Sequence, residues 1–279
     1  MKARRSLLTS LLGPASILLI VGLLGGVAAG AAPEMSPSDR PAIAFDTAEA
    51  NLQQREPTSP TPAGQREPTP SAPEGHERPR PALVASIPHD LPITARPGKG
   101  EVIGTMPGGS RYYDEPLRAW ILDKSSNGRF GKVTIPYSGS RTTGWIRIAG
   151  LELDGSAYSV RADLSSHVIS VMRLDREIMR FPATTGAPNS PTPVGRYFVT
   201  DRVAIAPGNS FGSYAFGLSG IQPNLPAGWS GGDQLAIHGT DDPSSIGTSA
   251  SAGCLRVSEH ALDRLKPLLA LGTPVVITP

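Results

Sequence analysis

From residue 91 onwards, β-branched and aromatic residues occur in short runs that are separated by clusters of Gly, Pro, Ser and Asn. The first runs, EVIGTM, RAWILD, GKVTIP and GWIRIAG, follow one another at roughly ten-residue intervals, which is typical of a compact barrel or sandwich. Later runs include YSVRAD, HVISVMR, GRYFVTD, QLAIHG and TPVVIT. The sequence therefore predicts a mainly β protein, with a small β domain over residues 91–155 and a second β-rich domain over residues 156–279.

One segment of the second domain has a helical rather than an alternating pattern. Ser258 is a candidate N-cap, and apolar residues recur on one face up to Leu271, before Gly272. Pro267 lies inside this segment, and a proline in a helix interior removes a hydrogen bond and clashes with the preceding turn. We therefore expect a single helix over residues 258–271 that is kinked or stops early at Pro267.

The N-terminal part of the chain predicts no folded core. Residues 1–32 combine Lys2, Arg4 and Arg5 with an apolar stretch that ends in small residues, as an export signal does. The stretch is almost long enough to span a bilayer, so a cleaved signal peptide and a retained membrane anchor are both open. Residues 33–90 are rich in Pro, Glu, Ser and Thr and contain the repeat QREPTSPTPAG followed by QREPTPSAPEG, which predicts a disordered linker.

Both alternatives for the N-terminus place the folded domains outside the cytoplasm. We expect a secreted or membrane-anchored protein of the cell wall or of a periplasm-equivalent space. The chain carries 26 basic and 24 acidic residues, and its net charge of +2 gives no reason to expect a nucleic-acid partner.

Cys254 is the only cysteine of the chain, whereas exported proteins normally use cysteines in disulfide pairs. Its neighbours Ser251, Ala252 and Gly253 are small, which is typical of a tight loop whose backbone N–H groups can approach a ligand. A buried, unreactive thiol is the alternative interpretation. We favour a nucleophile, because this loop composition does not match a core strand.

His238 is the candidate base for this thiol. It follows the apolar run LAI, where a strand would hold its backbone, and a histidinium beside the thiol would keep the sulfur ionised. The N–H groups of the AGC stretch could stabilise an oxyanion, and Arg256 could pair with a substrate carboxylate. His260 is a competing base, but the predicted helix should turn it away from the loop.

A zinc site built from His238, Cys254 and His260 is a further alternative. The chain has no Cys-x-x-Cys or His-Glu-x-x-His spacing to support it. Asp241 and Asp242 are expected to cap a loop rather than to orient the histidine. We therefore expect a site without a metal.

The sequence IHGT…SAGCLR, preceded by TTGAPNSPTPVGRYFV, resembles the YkuD-type L,D-transpeptidases of bacterial peptidoglycan over residues 158–279. Many relatives have a histidine where this chain has Ala252, so the auxiliary proton transfer or substrate contact at that position is affected. The matching positions around the cysteine are His238, Gly239, Thr240, Ser251, Gly253, Cys254, Leu255 and Arg256.

The resemblance implies a β-rich catalytic domain and a reaction on peptidoglycan stem peptides. Cys254 would attack a tetrapeptide stem at the L-centre of diaminopimelate, His238 would move the proton, and the carbonyl of Gly239 would orient the imidazole. The thioester would then pass to the side-chain amine of an acceptor stem, which gives a 3→3 cross-link without a metal or organic cofactor. The resemblance also implies four substrate-binding residues: Thr240, Ser251, Gly253 and Arg256.

Two other functions remain open. An L,D-carboxypeptidase would let water open the same thioester, and a non-catalytic protein would only bind the cell wall. Tyr214, Phe216 and Trp229 precede the candidate base and are candidates for a lid over the acceptor cleft.

The small β domain resembles the bacterial SH3-like modules that often precede cell-wall enzymes. The likeness depends mainly on Trp120, Gly144 and Trp145. It implies either wall binding or the positioning of the catalytic domain.

Overall fold

The structure is a computed structural model that describes residues 80–113, 115–139 and 141–279. The predicted export segment, residues 1–32, and the predicted linker as far as residue 79 lie outside these ranges. The described residues belong to one compact unit and contain eighteen strands, one α-helix and one short 3-10 helix. They confirm the predicted mainly β fold with a single α-helix.

The first eight strands form the small β domain. They are β1 (Ala82–Ser86), β2 (Leu91–Arg96), β3 (Lys99–Met106), β4 (Arg118–Trp120), β5 (Asp123–Lys124), β6 (Phe130–Thr134), β7 (Thr143–Arg147) and β8 (Leu153–Ser156). Strands β4-β1-β8 make one antiparallel sheet, and strands β3-β2-β7-β6-β5 make the other. Apolar side chains of both sheets share one core.

The small domain begins earlier than the predicted residue 91. Strand β1 lies within the segment assigned to the linker, and it is the central strand of the three-stranded sheet. Val84, Ala85 and Ile87 are buried. The composition argument missed this strand because one short apolar run follows a long proline-rich stretch, and both of its pairing partners come later in the chain.

The second domain contains the remaining strands and both helices. They are β9 (Tyr158–Asp163), β10 (Val168–Arg173), β11 (Arg176–Pro182), β12 (Thr185–Gly186), β13 (Gly195–Ala204), β14 (Tyr214–Ile221), β15 (Gln234–His238), the 3-10 helix (Pro243–Ser245), β16 (Ser249–Ser251), β17 (Leu255–Arg256), α1 (Glu259–Leu265) and β18 (Pro274–Thr278). Eight strands form one sheet in the order β11-β10-β9-β18-β13-β14-β15-β17. Two of its neighbouring pairs are parallel, β18 with β9 and β15 with β17.

Strand β13 contributes to the cores of both domains. Tyr197 and Val199 pack in the core of the second domain, whereas Phe198 between them is 1 % exposed in the core of the small domain. This follows from the strand geometry, because successive side chains point to opposite faces of a sheet. The N–H of Tyr137 also donates to the carbonyl of Ser219 at 2.7 Å. The two domains are therefore joined by a shared strand and not only by a linker.

Helix α1 is shorter than the predicted segment. The Ser258 hydroxyl accepts from the N–H of Ala261 at 3.2 Å, which confirms the predicted N-cap. The helix ends at Leu265, before Pro267, which confirms the early stop. In the part of the chain that the structure describes, no helix has the length and apolar character that crossing a membrane needs.

Replacing Phe198 with Ala should lower the free energy of unfolding by about 3–5 kcal/mol, because it leaves a cavity in the small domain. The change lies on a strand of the second domain, so we expect both domains to unfold in one transition at a lower urea concentration. Tryptophan fluorescence and activity followed in parallel measure this. Ile178→Ala, at an exposed position, is the control. Separate transitions, or a loss below about 1 kcal/mol, would contradict the shared-strand interpretation.

Candidate active site

The parallel pair β15–β17 places the two predicted reactive residues in one cavity. Ile237 pairs with Leu255 and His238 with Arg256, so Cys254 lies level with Ala236. Ile237 and Leu255 are buried in the core, and the alternating residues on the other face open into a cavity of about 480 Å³. His238, Cys254 and Arg256 all line this cavity, as their predicted roles require.

The thiol of Cys254 is only partly exposed. Its sulfur donates to the carbonyl oxygen of Gln234 at 3.8 Å, at the start of β15. Burial raises the pKa of the Cys254 thiol, and the backbone at Ala236 and the charge of Arg256 offset only part of this effect. The resting thiol is therefore protonated at neutral pH.

The imidazole of His238 is held at the base of the cavity and is 3 % exposed. Its Nδ1 lies 2.6 Å from the carbonyl oxygen of Gly239, and a carbonyl only accepts, so Nδ1 carries the proton. Burial lowers the pKa of His238 to about 4, and the nearby charge of Arg256 lowers it further, while hydrogen bonds to the backbone at Gly239 and Phe211 act in the opposite direction. Above this pH the ring is neutral and Nε2 is a free base.

These pKa shifts differ from the expected resting thiolate beside a histidinium. Burial disfavours the charged form of both groups, so the stable pair is a neutral thiol and a neutral imidazole. The positive charge of Arg256 favours the thiolate but disfavours the imidazolium. Neither group therefore carries a charge in the resting site at neutral pH.

Phe211 is a neighbour of His238 that the sequence did not indicate. Its ring meets the imidazole edge-on, with 4.7 Å between the ring centroids. The carboxylate of Glu259, at the first residue of α1, holds the following loop by accepting from the N–H of Ser213 at 3.0 Å and from its hydroxyl. The helix thus fixes the loop that packs against the base.

The turn before Cys254 is built around Ser251. The Ser251 hydroxyl donates to the carbonyl of Cys254 at 2.6 Å and accepts from the N–H of Gly253 at 3.0 Å. This hydroxyl lines the cavity edge but is committed to the turn, so it positions the cysteine. The N–H of Gly253 is likewise used inside the turn, which removes one of the three donors expected to bind an oxyanion.

Gln222 links this turn to the upstream motif. Its amide nitrogen donates to the carbonyls of Ser190 and Pro191, at 3.1 and 2.9 Å. Gly253 has a φ of 122°, and a Cβ there would overlap the amide of Gln222. Gln222 therefore connects the motif TTGAPNSPTPVGRY to the turn that carries Cys254, although Gln222 itself belongs to neither of the two sequence motifs.

The remaining predicted substrate-binding residues divide into two kinds. Arg256 lines the cavity, where it could meet a carboxylate. Thr240 is buried and does not line the cavity, because its hydroxyl accepts from the N–H of Asp242 at 3.0 Å and closes a local turn. Asp242 in turn caps the 3-10 helix by accepting from the N–H of Ser244 at 3.2 Å, as expected of a capping residue. Its neighbour Asp241 lies on the cavity wall.

The structure separates the three lid candidates. Trp229 lines the cavity, but Phe216 is buried in the core, and Tyr214 packs on Phe216 with 5.1 Å between ring centroids. Strand alternation is the reason: residues 214 and 216 point to the core face of β14, whereas Ala215 and Gly217 point to the cavity.

The competing histidines do not join the site. His260 is exposed on α1 and does not line the cavity, and His167 lies in a turn, with its Nε2 2.9 Å from the Ser249 hydroxyl. Among residues 80–113, 115–139 and 141–279, no group of three or more His, Cys, Asp or Glu side chains is arranged to hold a metal ion.

A cysteine and a histidine that share one cleft of a β-rich domain define a candidate site for thiol-based acyl transfer. Residues 157–277 match the YkuD family, the L,D-transpeptidase catalytic domain. The chain belongs to this family. The small β domain lies outside the matched residues.

Two curated relatives agree with this assignment. The chain is 30% identical over 126 residues to the L,D-transpeptidase named YkuD in Bacillus licheniformis, which covers 45% of this chain and 68% of that protein. It is 27% identical over 120 residues to the protein of the same name in Bacillus subtilis strain 168, and the match covers 43% of this chain and 65% of that protein.

Among solved structures, an L,D-transpeptidase crystal structure from Mycobacterium tuberculosis H37Rv matches with a TM-score of 0.39 and 21% identity, over 62% of this chain and 76% of that chain.

The buried neutral histidine should make stability depend on pH. The pKa of His238 is about 4 in the folded protein against 6.5 for the free side chain, so between these values the unfolded chain binds more protons. Stability should therefore fall as the pH drops from 6.5 towards 4, by about 3 kcal/mol over the whole window. Urea unfolding of His238→Gln should show a smaller loss between pH 7 and 4.5 than His260→Gln does. Equal losses in the two variants would contradict the assignment.

Replacing Gly253 with Ala should displace the cysteine turn. The positive φ adds strain of about 1–3 kcal/mol, and the new methyl group meets Gln222. Gly247→Ala is a matched control, because Gly247 also has a positive φ of 87° but open space around it. We expect both variants to lose stability and only Gly253→Ala to lose Cys254 acylation, measured by intact mass. Unchanged acylation in Gly253→Ala would show that the turn tolerates the displacement.

Proposed function

We propose that this protein is an L,D-transpeptidase that forms 3→3 peptidoglycan cross-links through a thioester on Cys254. The observation that carries the proposal is the placement of Cys254 and His238 on one face of the parallel pair β15–β17, opening into a single cavity. Family membership supplies the class of substrate, a peptidoglycan stem peptide.

In the acylation step, the sulfur of Cys254 attacks the carbonyl carbon at the L-centre of diaminopimelate in a donor tetrapeptide. The thiol proton passes to Nε2 of His238 in the same step, because the resting pair is neutral. The Nδ1–H bond to the carbonyl of Gly239 then becomes a charge-assisted bond, which stabilises the imidazolium. The tetrahedral intermediate collapses, His238 protonates the departing amine, and D-alanine leaves.

In the second step, the side-chain amine of diaminopimelate on another stem attacks the thioester carbonyl. His238 accepts the proton that the amine loses, and the new amide bond forms as the carbon–sulfur bond breaks. The proton returns to sulfur and restores the neutral pair. The residues used in both steps belong to the chain itself, so the scheme needs no cofactor.

Arg256 can connect substrate binding to the chemistry. Its unneutralised charge lowers the pKa of His238 and so opposes formation of the imidazolium. A substrate carboxylate bound at Arg256 would neutralise this charge and remove the opposition. The same charge lowers the pKa of the Cys254 thiol, so neutralising it raises the pKa of both groups, and the two effects on the proton transfer oppose each other.

The export segment supports an extracytoplasmic location for this reaction, as a secreted or membrane-anchored protein of the cell wall. The SH3-like interpretation of the small domain belongs to the same proposal, in which that domain holds the catalytic domain against peptidoglycan.

Incubation with a disaccharide-tetrapeptide should add to Cys254 the mass of the donor without its terminal D-alanine. Cross-linked dimer among the products indicates transfer, and tripeptide alone indicates the L,D-carboxypeptidase. Cys254→Ala should give no adduct, and His238→Ala should slow acylation by about 10²–10⁴-fold. His260→Gln is the control and should be fully active. An unmodified protein with unchanged substrate would favour the non-catalytic wall-binding function.

A further inference from the structure

One part of the active-site cavity carries an exposed aromatic wall. Seven large hydrophobic side chains are exposed among the described residues, and four of them, Tyr112, Tyr113, Leu225 and Trp229, line this one cavity. We call Tyr112, Tyr113 and Trp229 the aromatic wall. Two of its three members come from the small β domain. Such clustering of exposed apolar surface marks a binding site, since scattered single residues would need no explanation.

The aromatic wall is held in place before any ligand binds. Arg111 pairs with Asp233 at 2.6 Å, and the Tyr112 hydroxyl donates to the same carboxylate at 3.3 Å. The guanidinium of Arg111 also lies over the ring of Tyr112, 5.2 Å from its centroid. On the other side, Nε1 of Trp229 donates to the carbonyl of Gly232 at 2.7 Å. The rings of Tyr112 and Trp229 are thus fixed by polar groups.

The chemistry of this part of the cavity suits an uncharged ligand. Arg111 and Asp233 neutralise each other, and Asp201 is 1 % exposed with one carboxylate oxygen bound by Thr200 and Gln234. The other carboxylate oxygen of Asp201 has no hydrogen-bond partner but is buried, so the exposed charges beside the aromatic wall, Arg111 and Asp233, are those already paired with each other. A pyranose ring has no charge, and its C–H groups carry the partial positive charge that aromatic faces attract.

We propose that the aromatic wall is a saccharide subsite, which binds the sugar that bears the donor stem. This inference rests on the proposed function for the identity of the stem. The small β domain then contributes directly to substrate binding at the catalytic cavity, through Tyr112 and Tyr113.

The aromatic wall lies close enough to the sulfur for the donor stem to reach it. Asp233, the partner of Tyr112, directly precedes Gln234, whose carbonyl oxygen lies 3.8 Å from the sulfur of Cys254. In the donor, two extended residues and the lactyl group separate the sugar from the acylated residue, which is about 10 Å. A sugar within this distance of the sulfur reaches the residues around Asp233, where Tyr112 is held.

The test compares two ligands on the full chain carrying Cys254→Ala, which cannot be acylated. Titration calorimetry measures binding of a disaccharide-tetrapeptide and of the free tetrapeptide. We expect the disaccharide to tighten binding about tenfold. Adding Tyr112→Ala and Tyr113→Ala should abolish this advantage without changing the affinity for the free tetrapeptide. Adding Trp229→Ala instead should also abolish the advantage. Tyr112→Phe with Tyr113→Phe should keep most of it, and Val102→Ala, an exposed position outside the cavity, should keep all of it.

Two results would overturn the subsite. One is equal affinity for the two ligands in the parent protein, and the other is an equal loss for both ligands in the alanine variants, which would make the wall a peptide site. The outcome is separable from that of the acylation experiment. An adduct on Cys254 with no contribution from the sugar rejects the subsite alone. Sugar-dependent binding without any adduct in the unmodified protein rejects the transpeptidase alone.

Discussion

The parallel pairing of β15 with β17 determines where every reactive group of the site lies. The pairing of Ile237 with Leu255 buries one face of both strands, and so turns His238, Cys254 and Arg256 towards the cavity. A slip of one residue would exchange the two faces and bury the polar set. The hydrogen bonds of Ser251 and the packing of Gly253 against Gln222 keep the chain before β17 in the turn that this register needs. The chemistry therefore depends on strand register more than on any single contact.

Burial then sets the protonation of the reactive pair. Because the thiol and the imidazole are both desolvated, both are neutral at rest. Exposed cysteine nucleophiles instead form ion pairs of a thiolate and a cation. We expect such a pair to react slowly with small electrophiles in solution, because little thiolate is present at rest. Arg256 is a cavity-lining charge that lowers the pKa of both members of this pair.

Local sequence pattern was sufficient for many of the strands and for the helix cap at Ser258, because each has a signal within a few residues. It also selected Cys254 and His238 as a candidate pair, and the structure places both on one cavity. It failed for strand β1, whose partners are distant in the chain, and for Thr240, whose place in the motif does not reveal that its hydroxyl closes a turn. It also failed for Phe211 and Gln222. These two residues lie in the loops on either side of β14, and nothing in their immediate neighbours indicates that they contact the site.

Strand β13 limits how this protein could be shortened or recombined. Its residues alternate between two cores, so cutting the chain at the start of the family match would leave the ring of Phe198 facing water on the back of the catalytic sheet. A catalytic domain expressed without the small β domain would expose an apolar surface there and would tend to self-associate.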